Sequence, residues 1–117
     1  MPDLPYEISV SDVKSRLDAG EKLVLVDVRE LREHQICRID GASLIPMNTV
    51  PARLQDLEAL ADESTLVVYC HHGMRSLNTV VWLRKQGLGN CVSMAGGIEA
   101  WSTTIDPKVP KIGRAHV

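Results

Sequence analysis

Seven consecutive residues, CHHGMRS at positions 70–76, hold the side chains of this chain best suited to chemistry. Cys70 directly follows an apolar, β-branched run, and ligands of open α/β sheets bind outside the carboxyl ends of the strands. The helix-like sequence after the loop would offer amides without intrahelical partners and the positive end of a helix dipole. Gly73 gives the backbone unusual freedom, and Arg75 adds a permanent charge. Together these groups would stabilise a nucleophilic thiolate, or a persulfide anion, at Cys70.

The two histidines of this stretch leave their roles open. His71 and His72 are adjacent, so both side chains need not face the same way, and each suits either a pocket contact or a solvent-facing position. A zinc site built from Cys70, His71 and His72 is disfavoured, because adjacent residues rarely converge on one tetrahedral ion and no fourth ligand is evident. We expect no metal and no organic cofactor.

The surrounding sequence alternates between strand-like and helical segments. Strands are predicted at 22–28 and 64–69, with a weaker one at 42–47, and residues 90–97 are predicted as a last strand that leads into a glycine turn at Gly96 and Gly97. Helices are predicted at 9–20, 51–61, 75–87 and 98–101. Parallel strands need crossover connections of about the length of these helices. The pattern predicts an α/β fold with a mainly parallel central sheet and helices on both faces.

Size and composition predict one ordinary soluble domain. The chain has 117 residues, 44% of them apolar, and a formal net charge of −2, which argues against nucleic-acid or polybasic membrane partners. It contains no apolar run of about 18 residues and begins without a secretory leader, so we expect a cytoplasmic protein. Three cysteines cannot all pair, which favours a reducing compartment, and Cys37 and Cys91 fit buried core positions. The domain core is expected at about 6–107, with residues 108–117 extended or disordered.

Three segments carry a family resemblance. CHHGMRS resembles the active-site loop of rhodanese-type sulfurtransferases, and MAGGIEAW at 94–101 resembles the glycine pair and tryptophan that close their domain. DVRELREHQICRIDGASLIP at 27–46 is similar to their first signature, although Cys37 and Arg38 replace a usual Gly-His and His34 replaces a common aromatic. The resemblance implies the three-layer rhodanese-like fold. The residues in register with the first signature are Asp27, Val28, Arg29, Glu33, Ile39, Gly41 and Ala42.

The length of the loop separates two chemistries on this fold. Four residues lie between Cys70 and Arg75, as in the sulfurtransferases, whereas the related phosphatases and arsenate reductases have one more. The resemblance therefore implies that Cys70 carries sulfur as a persulfide and that Arg75 braces the loop, with a carboxylate as its candidate partner. The candidate substrate- or anion-binding loop consists of His71, His72, Gly73, Met74 and Ser76. The resemblance assigns supporting roles to Asp27, Arg29 and Glu33.

Two other functions remain open, a phosphatase or arsenate reductase and a non-catalytic binding module. For a sulfurtransferase the expected partners are a small sulfur donor such as thiosulfate and a thiophilic acceptor. Residues 101–111 also resemble the end of rhodanese domains fused to adenylyltransferases, which implies a persulfide donor protein or a ubiquitin-like sulfur carrier as a further partner.

Overall fold

A sheet of five parallel strands organises the computed structural model, which describes residues 4–109. The strands lie in the spatial order β1-β5-β4-β2-β3. Their bounds are β1 Glu7–Ile8, β2 Leu23–Asp27, β3 Ser43–Leu44, β4 Thr65–Tyr69 and β5 Cys91–Met94. The helices are α1 Val10–Asp18, α2 Leu31–Ile36, α3 Leu54–Ala61, α4 Met74–Lys85 and α5 Gly97–Thr104.

Helices cover both faces of the sheet because successive strand residues point to opposite sides. Leu25 and Val67 face a buried cluster shared with α1 and α5. Their neighbours Val26 and Val68 face a second cluster, shared with α3 and α4. The predicted three-layer α/β fold is confirmed, and all the strand pairings described are parallel.

Local signals explain where several elements begin. The Ser9 hydroxyl accepts a hydrogen bond from the Asp12 amide at 3.0 Å and caps α1, as its position before the apolar pattern indicates. Glu30 and Glu33 form a reciprocal capping box at the start of α2. This short helix buries none of its residues, so capping and side-chain contacts hold it in place.

Some predicted elements are shorter or longer than expected. The strand predicted at 42–47 is limited to Ser43–Leu44, and the segment from Pro51 begins as a 3-10 turn, Pro51–Arg53, before α3. The final helix extends to Thr104 instead of ending at residue 101. Two elements, β1 and α2, were not predicted from the sequence.

The prediction of an extended or disordered tail at 108–117 is wrong at its start. Lys108 and Val109 lie in a turn, and Val109 is buried in the cluster between the sheet, α1 and α5. Burial of an apolar side chain orders this part of the chain. Residues 110–117 lie outside the described residues. Within 4–109, no helix is both long enough and apolar enough to cross a membrane.

Candidate active site

The sulfur of Cys70 lies at the point where β4 passes into α4. Cys70 comes directly after the last residue of β4, and α4 begins at Met74, so four residues, 70–73, connect the strand to the helix. The Sγ atom accepts hydrogen bonds from the amides of Gly73 at 3.1 Å and Ser76 at 3.3 Å. Gly73 reaches this position with a φ of 106°, which favours glycine. Two amides and the N-terminus of α4 therefore converge on the sulfur of Cys70, a residue that is 1% exposed.

The N-terminus of α5 holds the same loop from the other side. The amide of Ile98 donates to the Cys70 carbonyl at 2.9 Å, and the amide of Glu99 donates to the His71 carbonyl at 3.1 Å. Gly97 allows this contact, because a Cβ atom there would lie 2.4 Å from the Cys70 carbonyl oxygen. The predicted glycine turn thus brings a second helix N-terminus against the loop.

Arg75 is held by a carboxylate from α2. Its two terminal nitrogens donate to the Glu33 carboxylate at 2.9 and 3.0 Å, a bidentate pair. Hydrogen bonding from Arg75 lowers the pKa of Glu33 to about 2 and, in return, raises the pKa of Arg75. The pair fixes a positive charge beside the loop and ties α2 to α4.

Asp27 and Arg29 form a fully buried ion pair behind this contact. The Arg29 guanidinium donates to both Asp27 oxygens, at 2.9 and 2.7 Å, and to the carbonyl of Cys37 at 2.6 Å. His34 Nδ1 lies 2.8 Å from the same carboxylate. Burial opposes ionisation of Asp27, but these hydrogen bonds outweigh it and lower the pKa of the carboxyl. His34 and Cys37, which depart from the family signature, therefore lie together around this pair.

The two histidines of the loop stack on each other. The ring centroids of His71 and His72 are 3.9 Å apart with 27° between the planes, and the Glu99 carboxylate lies 3.4 Å from His71 Nε2. The metal-binding atoms of these three residues lie within 4.8 Å of one another. Burial, followed by the nearby His72, lowers the pKa of His71, which favours a neutral ring at pH 7.

The remaining loop residues divide between surface and interior. Met74 is 67% exposed and the His72 side chain 66%. Ser76, by contrast, is fully buried, and its Oγ lies 3.5 Å from Cys70 Sγ and 2.7 Å from Ser93 Oγ. Neither Ser93 nor Glu99 was predicted from the sequence as a site residue. The position of Glu99, two residues after Gly97, is the one sequence signal that could have indicated that it lies near the loop.

This chain is similar to known proteins of one family. A family model described as a rhodanese-like domain matches residues 9–104. The chain belongs to the rhodanese-like family. A putative sulfurtransferase of Bacillus subtilis, YtwF, is 35% identical over 102 residues, which cover 87% of this chain and 95% of that protein.

Two further relatives extend this comparison. Human single-domain sulfurtransferase TSTD1 superposes with a TM-score of 0.75 at 26% identity, covering 86% of this chain and 98% of that one. The probable adenylyltransferase/sulfurtransferase MoeZ of Mycobacterium tuberculosis is 37% identical over 100 residues, which cover 86% of this chain. The match spans 25% of MoeZ, so this chain corresponds to about a quarter of that relative. Rhodanese-like relatives named as sulfurtransferases support a role in sulfur transfer.

Proposed function

We propose that this protein is a sulfurtransferase that carries sulfane sulfur as a persulfide on Cys70. The observation that carries the proposal is the convergence of the Gly73 and Ser76 amides on Cys70 Sγ at the N-terminus of α4. Hydrogen-bond donors placed around a sulfur stabilise the thiolate that attacks and later leaves. The four-residue spacing between Cys70 and Arg75 supports sulfur transfer over phosphoryl or arsenate chemistry.

The proposed reaction has two displacement steps. The Cys70 thiolate attacks the outer sulfur of thiosulfate, a new S–S bond forms, and the S–S bond of thiosulfate breaks as sulfite leaves with the electron pair. A thiophilic acceptor then attacks the outer sulfur of the persulfide. The persulfide S–S bond breaks, and its electron pair returns to Sγ as the thiolate. A persulfide on a small molecule or on a protein can replace thiosulfate as the donor, because it offers the same sulfane sulfur.

The surrounding residues have distinct roles in this proposal. Arg75, held by Glu33, supplies fixed positive charge near the entering anion. His71, His72 and Met74 form the rim that a donor or acceptor meets, since His72 and Met74 are largely exposed. Asp27 and Arg29 hold the loops behind α2 and do not take part in bond making.

A protein partner and a reducing compartment belong to the same proposal. The relative MoeZ is named as both an adenylyltransferase and a sulfurtransferase, and the match to this chain spans about a quarter of the length of MoeZ. A ubiquitin-like sulfur carrier or a persulfide donor protein is therefore our proposed physiological partner. All three cysteines are free thiols, which suits the reducing conditions of the cytoplasm.

The test is intact-protein mass after incubation with thiosulfate, followed by cyanide. We expect a mass increase of one sulfur atom that cyanide discharges as thiocyanate in the wild type and in Cys91→Ser, but not in Cys70→Ser. Cys91 is the matched control because it is a buried thiol, and burial raises its pKa and disfavours the reactive anion. A cyanide-labile adduct that persists in Cys70→Ser would overturn the assignment. Hydrolysis of an aryl phosphate without any sulfur adduct would favour the phosphatase instead.

A further inference from the structure

A pair of buried serine hydroxyls lies directly behind the Cys70 sulfur. Ser93 is on β5, where it pairs in register with Val68 of β4, two residues before Cys70. Ser76 is in the first turn of α4, and both serines are fully buried. Their Oγ atoms are 2.7 Å apart. A buried hydroxyl without a partner destabilises a fold, so this pairing satisfies Ser93 in an otherwise apolar strand.

The number of hydroxyl hydrogens determines which serine donates the hydrogen bond in this pair. A serine hydroxyl has one hydrogen to donate and two lone pairs that accept. Ser76 donates to the Gly73 carbonyl at 3.2 Å, which leaves its two lone pairs for Ser93 and for the Cys70 thiol at 3.5 Å. In the thiol form of the site, therefore, Ser93 donates to Ser76, and the hydrogen-bonding capacity of Ser76 is filled.

Loss of the thiol proton changes what Ser76 can do. The thiolate no longer donates, so the Ser76 hydroxyl can turn from the Gly73 carbonyl toward Sγ as a third donor beside the two amides. Ser93 continues to donate to the same oxygen, which strengthens the outgoing hydrogen bond through cooperative polarisation. The arrangement needs rotation of one hydroxyl and no movement of the backbone.

We infer that Ser93 is a positioning residue that stabilises the Cys70 thiolate through Ser76. In sequence Ser93 is far from the loop, but in the sheet it lies beside Val68, two residues before Cys70. It acts when Sγ carries the charge, which is the state that attacks the donor and the state that leaves when the acceptor takes the sulfur. In the persulfide the charge lies on the outer sulfur, so the pair stabilises that intermediate less. The expected effect of Ser93 on turnover rests on the proposed sulfur transfer. The expected effect of Ser93 on the reactivity of the Cys70 thiol does not depend on that proposal.

The first experiment is the pH profile of Cys70 alkylation by iodoacetamide, followed by mass spectrometry of the peptide that contains Cys70. On the limb where the rate rises with pH, we expect Ser93→Ala to react about five-fold more slowly than wild type, the effect of losing about one hydrogen bond. On the plateau, where every Cys70 is ionised, the two rates should agree within about two-fold. If Ser93→Ala slows alkylation equally on the rising limb and on the plateau, the substitution has changed the access of iodoacetamide to Cys70, and the inference would be overturned.

Thr79→Val is the matched control. Thr79 is a buried residue of the same helix, and its hydroxyl donates to the Arg75 carbonyl at 2.8 Å without contacting the sulfur. We expect its alkylation profile to match the wild type. A five-fold shift in Thr79→Val would mean that any lost buried hydroxyl in this helix perturbs Cys70, and Ser93 would have no special role.

A double-mutant cycle tests whether Ser93 acts through Ser76. Ser76→Ala should slow the rising limb at least as much as Ser93→Ala, and adding Ser93→Ala to it should change the rate less than two-fold. Additive effects would contradict the relay. If Ser93→Ala does not fold, Ser93→Cys replaces it, because cysteine keeps the side-chain volume but is a weaker hydrogen-bond donor. Ser93→Cys should give an alkylation rate on the rising limb between those of wild type and Ser76→Ala. A rate equal to wild type would count against the inference.

Sulfur-transfer assays on the same variants separate this inference from the proposed function. If wild type transfers sulfur and Ser93→Ala matches it in both alkylation and transfer, the role of Ser93 is refuted and the function stands. If wild type transfers no sulfur but the alkylation cycle behaves as expected, the proposed function fails and the role of Ser93 in thiolate stabilisation stands.

Discussion

Replacement of Glu33 by glutamine tests whether the ion pair between α2 and α4 holds the candidate loop. Glutamine has the same shape and still accepts from the Glu30 amide, which donates to Glu33 at 3.0 Å in the capping box. It loses the charge and places an amide group against Arg75. The substitution therefore removes the bidentate contact with little change in helix capping.

The size of the effect follows from the pKa of Glu33. A fall from 4.5 to about 2, at about 1.4 kcal/mol for each pH unit, sets an upper limit of about 3 kcal/mol on the pair. The Arg75 side chain is 37% exposed, so water screens part of this interaction. We expect Glu33→Gln to lower the free energy of unfolding at pH 7 by about 1 to 2 kcal/mol.

The pH dependence provides the sharper measurement. Because the pKa of Glu33 is depressed in the folded protein, its contribution is fully present above about pH 4.5 and is lost as the pH falls toward 2. Urea unfolding of wild type and Glu33→Gln at several pH values should show a difference that is constant from pH 7 to 5 and shrinks below pH 4. Asp56→Asn is the control, because Asp56 pairs with Arg53 on the exposed surface at 2.7 Å and should change stability by less than about 0.5 kcal/mol. A Glu33→Gln difference as small as that control, or one independent of pH, would refute the reasoning.

Two further predictions concern the contacts of α5 with the loop. Gly97→Ala should destabilise the protein by about 3 kcal/mol or more, because a Cβ there meets loop carbonyls at 2.3 and 2.4 Å and φ is 61°. Gly20→Ala, with φ of 80° and open space around the added atom, should cost only about 1 to 2 kcal/mol by thermal unfolding; equal losses would contradict the proposed clash. NMR titration should give His71 a pKa below 6.5, since burial disfavours its charged form. Glu99→Gln should lower it further, and an increase would show that the carboxylate does not face the ring.

The central strands and the main helices could be predicted from the sequence because each has a local signal. The runs that form β2 and β4 are short, apolar and β-branched, and α1 begins at a capping serine. By contrast, β1 has two residues, and α2 buries none. Both depend on contacts distant in sequence, such as the pairing of β1 with β5 and the hydrogen bonds of Glu33 to Arg75. A periodicity argument cannot detect such elements.

The candidate site shows the same division. Cys70, Gly73 and Arg75 could be proposed because they lie in one short stretch with a meaningful spacing. Ser93 could not, because its hydroxyl meets that of Ser76 only when β5 lies beside β4 and α4 packs against them. The family resemblance assigned Glu33 a supporting role, but the structure was needed to identify Arg75 as its partner.

The path of the candidate loop is specified mainly by backbone groups. The amides of Gly73 and Ser76, at the N-terminus of α4, hold the sulfur, and amides of α5 hold the carbonyls of Cys70 and His71. The side chains of His72 and Met74 project outward and contribute little to this framework. Substitutions at those two positions therefore leave the backbone contacts of the loop in place, so most members of a library randomised at both should keep the fold. The scaffold in this way separates the backbone groups that hold the sulfur from an exposed rim that tolerates changes of sequence.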